Sequence, residues 1–466
     1  MLETGGSLYF WFFLLIYGTA MYLVSPRSVS LQGFFNGSDS AGKPVSQWWL
    51  TSSIFISWIF AKSVTNAANL GSSFGIVGGV AYAAYWLSIP VAGLVIYWLR
   101  TRESATGLVP FLIQKYGRGA AVAFSLAILI RLYNEVWSNT AVVGGYFGPT
   151  GSQPYYLGAV IFTFFTLVYS IKGGLRSSIV TDAIQTVIFV FFLGIVLFTI
   201  VPIHGPVALL QSGTFEMSGG VDLLLVALLQ VLSYPFHDPV LTDRGFLNDE
   251  KIMLRSFLIA GALGFVCILL FSLVGIHARL SDLAVSGNAP VAVGQSLGMV
   301  TFFVMNVIMM TSAGSTLDST FSSISKTIAL EFPMLRGKKD YVPSIKTGVW
   351  VMIAFAVLGN LPLFAGTEIL QATTISGTMV IGLAPVFLMQ GLVRYSPMSF
   401  HFSFWPGVIM GILLASGNIP ETLAIGTGKY ALLLGTNVYG LLLCTMGYVI
   451  PLAFPMNALV SEKRPS

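Results

Sequence analysis

The sequence predicts an all-α integral membrane protein with about thirteen transmembrane helices, arranged as a five-plus-five inverted repeat with two interrupted helices. Three observations carry that expectation. Hydrophobic residues make up 55% of the chain and charged residues only 9%, against roughly 25% charged in an ordinary soluble domain. Mostly apolar runs of roughly eighteen residues or more recur along the whole length; at about 1.5 Å per residue each can cross a hydrocarbon core of roughly 30 Å. Two of these runs are broken by polar residues or prolines, and the breaks lie five spans apart.

In order, spans are expected near residues 7–24, 47–68, 76–99, 119–145, 155–172, 177–201, 222–237, 253–276, 296–325, 346–364, 369–391, 399–416 and 432–454. No soluble domain fits in the gaps. The opening MLETGGS has no basic residue and carries Glu3, which argues against a signal peptide and for a retained first span with its N-terminus outside. Lys and Arg accumulate on the cytoplasmic side of membrane proteins. With the N-terminus outside, nineteen of the 23 basic residues fall in inner segments and only Arg279 and Lys429 in outer ones, so the C-terminus is expected inside a plasma (inner) membrane. The net charge of +5 follows from this loop bias and implies no nucleic-acid partner. The expected organisation is an extra helix and loop over 1–46, a first five-helix repeat over 47–203, a second, inverted repeat over 204–391, and two extra helices with a short tail over 392–466.

Cys267 and Cys444 fall inside spans and read as small buried hydrophobes. The four histidines are scattered without metal-ligand spacing. No paired acids, metal cluster or nucleophile triad points to an enzyme.

A charge at the centre of a span costs about 2.5–3.5 kcal/mol on insertion scales, so buried ionisable residues are paired, solvated in a cavity or functional. Lys62, Arg131, Glu135, Asp182 and Asp318 fall inside the expected spans. Arg131 and Glu135 are four apart and share a helical face. Lys62 has no local acid and needs a partner from another helix. Aromatic and polar residues at Trp86, Tyr133, Asn134, Trp137, Asn139 and Tyr234 are candidates for lining a pocket, although aromatics also fill cores and membrane belts.

The ninth span turns polar at TSAGSTLDSTFSS, Thr311 to Ser323. At 100° per residue Ser312, Ser315, Thr316 and Ser319 form one stripe. Small hydroxyl residues also occur where membrane helices pack closely; the alternative is an oxygen-lined site for a hard cation such as Na⁺. Carbonyl oxygens for such a site become available only where a helix unwinds beside a cavity or other protein. The second span, with FAKSVTNAANLGSSFG, and the seventh, with Pro235 and Pro239 in LLQVLSYPFHDPVLTDRGFL, are the candidates. Paired interruptions in inverted halves point to the central site of a secondary transporter.

These motifs resemble the sodium:solute symporter family, which has a LeuT-like inverted-repeat fold. GGLRSSIVTDAIQ (Gly173 to Gln185) looks like its fifth-to-sixth-span signature, SAGSTLDS (Ser312 to Ser319) like its hydroxyl-rich segment, and FLIQKYG (Phe111 to Gly117) like its cytoplasmic amphipathic segment; HDPVLTDRGFL is a looser match. The resemblance spans residues 47 to 391. It implies Na⁺ as the coupling ion, held by Ser315 and Thr316, with Ser312 one turn earlier and partner carbonyls at Trp58 and Ala61. It also implies that Asp182 joins Ser312 and Ser315 in a second ion site.

The expected function is Na⁺-coupled uptake of a small polar organic solute by alternating access, with a weak preference for a carboxylate. Lys62, Thr65, Asn66, Arg131, Glu135, Asp318 and Ser319 are the candidate substrate and coupling residues. Pro235, His237 and Pro239 are the candidate gating hinge. This chain departs from the family at WIFAKS, which puts Phe60 and Lys62 beside the first break. An ammonium there either replaces the ion, pairs with Glu135 or Asp318, or binds substrate. Proton-coupled or Na⁺-independent transport and a transporter-like sensor are the alternatives.

Overall fold

The computed structural model describes residues 4–39, 42–337, 341–365 and 376–453. All regular structure among them is helical. The chain runs through α1 (Thr4–Val24), α2 (Gln47–Ser57), α3 (Ala61–Phe74), α4 (Ile76–Glu103), α5 (Leu108–Gly144), α6 (Gln153–Gly173), α7 (Leu175–His204), α8 (Val221–Gln230), α9 (Pro239–Thr242), α10 (Glu250–Leu280), α11 (Met299–Lys326), α12 (Ile345–Leu358), α13 (Leu383–Leu388), α14 (Pro397–Ala415) and α15 (Ala431–Ala453). Short helices and 3₁₀ turns connect them.

Nine helices among the described residues are long and apolar enough to cross a membrane. Of the other expected spans, 7–24 falls on α1, 47–68 on α2 and α3, and 222–237 on α8 and the irregular chain after it. In the span expected at 369–391, residues 369–375 lie outside the described residues.

Each helix buries the face its sequence makes apolar. In α1, Phe10, Leu14, Tyr17 and Met21 recur every three or four residues and are buried, which is the spacing of one helical stripe. Helix α11 is different, because it is buried on all sides from Val304 to Ser325. It packs on α7, α5 and α12, so its hydroxyl stripe faces protein. Helix α10 lies against α3 and α2, and α2 against α7.

The α3–α10 crossing is unusually close because it is built from small residues. A Cβ added to Gly275 would lie 1.6 Å from the Ala68 carbonyl oxygen, and one on Gly71 would lie 2.3 Å from that of Ser272. Backbone touches backbone there.

The second-span interruption is not where its polar residues suggest. The chain leaves helical geometry at Trp58–Phe60, with Phe60 extended (φ −66°, ψ 141°), and the stretch AKSVTNAANLGSSF winds into α3. Its side chains find partners without unwinding: Asn66 bonds the Tyr82 hydroxyl at 3.2 Å, and Asn69 bonds the backbone of Gly287 and Ala289. The seventh span is interrupted over Val231–Asp238, between α8 and α9. In α5, the amphipathic stretch before Gly117 bends into the span proper at that glycine, whose φ of 84° and ψ of 169° suit glycine alone. The histidines are not all isolated either, since His204 at the end of α7 lies 2.9 Å from His277 of α10.

Candidate ion and solute site

The turn at Trp58 releases carbonyl groups. In a continuous helix the Ile59 carbonyl would accept from the amide of Ser63. That amide bonds the Phe60 carbonyl at 2.9 Å instead. The freed oxygens face the stripe on α11: the Ser312 hydroxyl donates to the Ile59 carbonyl, and the Thr316 hydroxyl lies 3.4 Å from that of Ser57. The carbonyls that meet the α11 hydroxyls are therefore those of Ser57 and Ile59, one residue before and one residue after Trp58, where Trp58 and Ala61 were expected. The Ala61 carbonyl accepts from Thr65 at 3.1 Å within α3. The difference arises because the chain turns at Trp58 itself and points the oxygens on either side of it toward α11.

Ser315 faces the other way along the same stripe and donates to Oδ1 of Asp182 at 2.5 Å. Oδ2 of Asp182 accepts from Ser53 at 2.5 Å and from the Arg244 guanidinium at 3.1 Å. Asp318 accepts from Ser178 at 2.7 Å and Thr181 at 2.8 Å, both on α7. Asp318 and Ser319, expected beside the solute, thus belong with Asp182 and Ser178 on the α7 side of the stripe. The Ser57 and Ile59 carbonyls with the Ser312 and Thr316 hydroxyls, and on the other side of the stripe the Ser315 hydroxyl with Asp182, are all-oxygen groups of the kind a hard cation prefers, so these residues fit Na⁺.

A second group of charges surrounds Phe60. Lys62 Nζ lies 2.7 Å from Glu135 Oε1. Arg131 pairs with the same carboxylate on its own helix and with Asp238 at 2.9 Å. The Trp58 indole also donates to Asp238, at 2.9 Å. The Phe60 ring lies 5.3 Å from the Lys62 ammonium and 5.2 Å from the Arg131 guanidinium, with Tyr234 on the guanidinium's other side at 5.3 Å. All four ionic side chains are at most 3% exposed. The Lys62 ammonium therefore sits on Glu135, away from both the hydroxyl stripe and Asp318. Two positive and two negative groups cancel, and no uncompensated cation awaits a carboxylate among them.

Pro235 and Pro239 flank the extended residue Asp238 (φ −108°, ψ 96°), whose carboxylate also caps Val240. His237 donates from Nδ1 to the Tyr234 carbonyl at 2.6 Å, which leaves Nε2 as an acceptor. That atom and Arg131 Nε have no hydrogen-bond partner among the described residues. Both side chains line a cavity of about 200 Å³, whose polar corner also includes Asn134 and Ser376 and whose walls are apolar. Trp86 packs against Trp58 beside Tyr82. Asn139 bonds Glu135 and Asn134 takes the Trp137 indole. Thr65 and Asn66 are turned onto α3 and Tyr82, away from the charges.

Two charged participants escaped the sequence reading, along with the hydroxyls of Ser53, Ser178 and Thr181 that bond the buried acids. Asp238 was hidden in a proline-rich break, and Arg244 counted as a basic residue of an inner loop; both are fully buried. They stand in the loosely matched HDPVLTDRGFL, where an acid and a base six residues apart were the available signal.

No family model matches this chain. It is 25% identical to the sodium/pantothenate symporter of Escherichia coli (strain K12) over 198 residues, 41% of this chain and 40% of that protein. It is 27% identical to the human (Homo sapiens) sodium/glucose cotransporter 4 over 162 residues, 34% of this chain and 24% of that protein. The matched stretch thus spans less than half the length of either relative. The solved structure of a Na⁺-coupled sialic acid symporter in a substrate-bound, outward-open state superposes with a TM-score of 0.69 at 14% identity, covering 95% of this chain and 98% of that one.

The fold is LeuT-like.

Mhp1, a nucleobase-cation-symport-1 family transporter in a closed conformation with bromovinylhydantoin bound, shares this LeuT-like fold at a TM-score of 0.58 and 14% identity, over 94% of this chain and 97% of that one. The named relatives are transporters and not enzymes. Within the LeuT-like fold of this chain the two broken helices meet α5, α7 and α11 at the two groups of polar side chains described above.

Proposed function

We propose that this chain is a secondary active symporter that couples inward Na⁺ movement to uptake of a small polar organic solute by alternating access. The observation that carries the reading is the pair of carbonyls, Ser57 and Ile59, turned by the break in the second span onto Ser312 and Thr316. Na⁺ bridging these oxygens ties the broken helix to α11, and the neighbouring Ser315–Asp182 pair links the same stripe to α7. Residues 47–203 and 204–391 serve as the two inverted halves, in a plasma membrane with the N-terminus outside and the C-terminus inside. One charge moving through 100 mV supplies about 2.3 kcal/mol and a tenfold Na⁺ gradient about 1.4 kcal/mol. Together they support accumulation of roughly a few hundredfold.

The cancelled charges around Phe60 narrow the solute. A net anion would have to displace Glu135 or Asp238, whereas a neutral or zwitterionic molecule leaves the balance intact. A carboxylate-bearing solute fits if it brings its own cation. Thermal stability of the purified protein, in Na⁺ against choline at equal ionic strength, tests the ion. Na⁺ should stabilise the wild type, and the Ser315→Ala/Thr316→Ala variant should lose that response. Equal stabilisation of both would sink the assignment. A panel of neutral, zwitterionic and anionic small molecules added in Na⁺ tests the solute class, and a response confined to net anions would overturn it.

A further inference from the structure

The cavity beside Arg131 and His237 is separate from the ion oxygens. Its lining comes from α5, α14, the seventh-span break and residues 376–380, and no residue of α2, α3 or α11 lines it. Among the lining residues Leu126 and Ile130 of α5 and Trp405 of α14 are 49%, 56% and 44% exposed. Ile130 lies near the middle of the span that follows Gly117, and Trp405 near the middle of α14. Both helices are long and apolar enough to cross a membrane. Side chains exposed at that depth meet hydrocarbon, so the cavity has a side entrance from the bilayer.

Two buried side chains of the lining, Arg131 at 3% and His237 at 2% exposure, each keep one polar atom without a hydrogen-bond partner among the described residues. Arg131 Nε carries a hydrogen and can only donate. His237 Nε2 can only accept, because Nδ1 donates to the Tyr234 carbonyl. The terminal nitrogens of Arg131 are held by Glu135 and Asp238, so its charge is compensated. A buried donor or acceptor left without a partner bears its full desolvation penalty. One water takes about 30 Å³, a small part of the cavity's about 200 Å³, and the apolar walls give further waters nothing to bond. We propose that the cavity takes a neutral amphiphile from the bilayer. Its head is a hydroxyl or primary carboxamide that accepts from Arg131 Nε and donates to His237 Nε2, and its aliphatic body lies against the apolar walls. A sulfonate head only accepts, leaves Nε2 unpaired and carries a charge into hydrocarbon. A plain alkane leaves both atoms unpaired. Because Arg131 also holds Asp238, next to His237, the occupant braces the seventh-span break against α5. Occupancy does not require Na⁺, since none of the proposed ion oxygens lines the cavity.

The test is photolabelling of the full-length chain in phosphatidylcholine nanodiscs with decanol, decanamide, decanesulfonate and decane, each carrying a diazirine at the same chain carbon. Decanol and decanamide should label peptides of α5 and α14 saturably, with half-saturation at lipid mole fractions roughly tenfold lower than for the other two. Ala127→Phe and Val408→Phe, which each place a ring in the cavity, should abolish the saturable labelling and keep the Na⁺-dependent thermal shift. Equal labelling by all four probes is ordinary acyl-chain packing and would overturn the proposal. A preference for decanesulfonate, or saturable labelling that persists in a folded variant, would overturn it too. The order of the probes on the wild type decides the matter even if both variants fail to fold. A wild type that shows the expected order and no Na⁺ response would uphold the cavity and defeat the proposed coupling.

Discussion

Glu135 is shared by two cations, Lys62 and Arg131, and that sharing makes its neighbours unequal in importance. Breaking a buried pair costs about 3–5 kcal/mol when a charge is left uncompensated. Glu135→Gln strands Lys62 wholly and Arg131 in part, whereas Lys62→Met leaves Glu135 held by Arg131. Glu135→Gln is therefore expected to lower the thermal midpoint more than Lys62→Met, and the double variant should fall by less than the sum. Ser315→Ala removes one of the candidate oxygen ligands and the hydroxyl that holds Asp182, so it alone should weaken Na⁺ affinity, read from the Na⁺ concentration giving half-maximal stabilisation. The hydroxyl stripe and five of the seven buried charges in the two groups were legible in the sequence, because each stands out against apolar neighbours. Asp238 and Arg244 were not, because prolines and a loop-like context surround them.

At the scale of the element, glycine decides where helices approach and where they bend. Gly275→Val should lower the yield of folded protein, because the added side chain has no space against the Ala68 backbone; size-exclusion profiles of the solubilised protein report this. Gly117→Ala forces a side chain into a backbone region that costs about 1–3 kcal/mol. It should shift the thermal midpoint down without changing Na⁺ affinity, since Gly117 lies outside the ion cluster. Apolar run length identified most helices directly. The second-span break was legible as an event but not as a position. Polar residues signal unwinding only when nothing nearby bonds them, and the Tyr82 hydroxyl and the Gly287–Ala289 backbone that satisfy Asn66 and Asn69 come from distant parts of the chain.

For the whole molecule, ion pairs on one side join the elements that follow the seventh-span break to their neighbours. Lys326 at the end of α11 lies 2.5 Å from Asp243, and Arg100 of α4 lies 3.1 Å from Glu250 of α10. Lys326→Gln should loosen that side, seen as faster amide hydrogen exchange in peptides covering residues 239–250 and unchanged exchange in α14. The LeuT-like fold was readable from the succession of apolar spans and the spacing of two interruptions. Which charges meet was not readable, because partners such as Lys62 and Glu135 are 73 residues apart. The α3–α10 crossing has a mechanical consequence as well. Two backbones packed this closely resist sliding past each other, so any movement of one helix is expected to carry the other with it as a single lever. In the proposed transport cycle the unwound residues Trp58 to Phe60 would be its fulcrum, and the candidate ion oxygens of Ser57 and Ile59 would sit at the pivot, where a small bound cation has the greatest leverage over which end of the lever is raised.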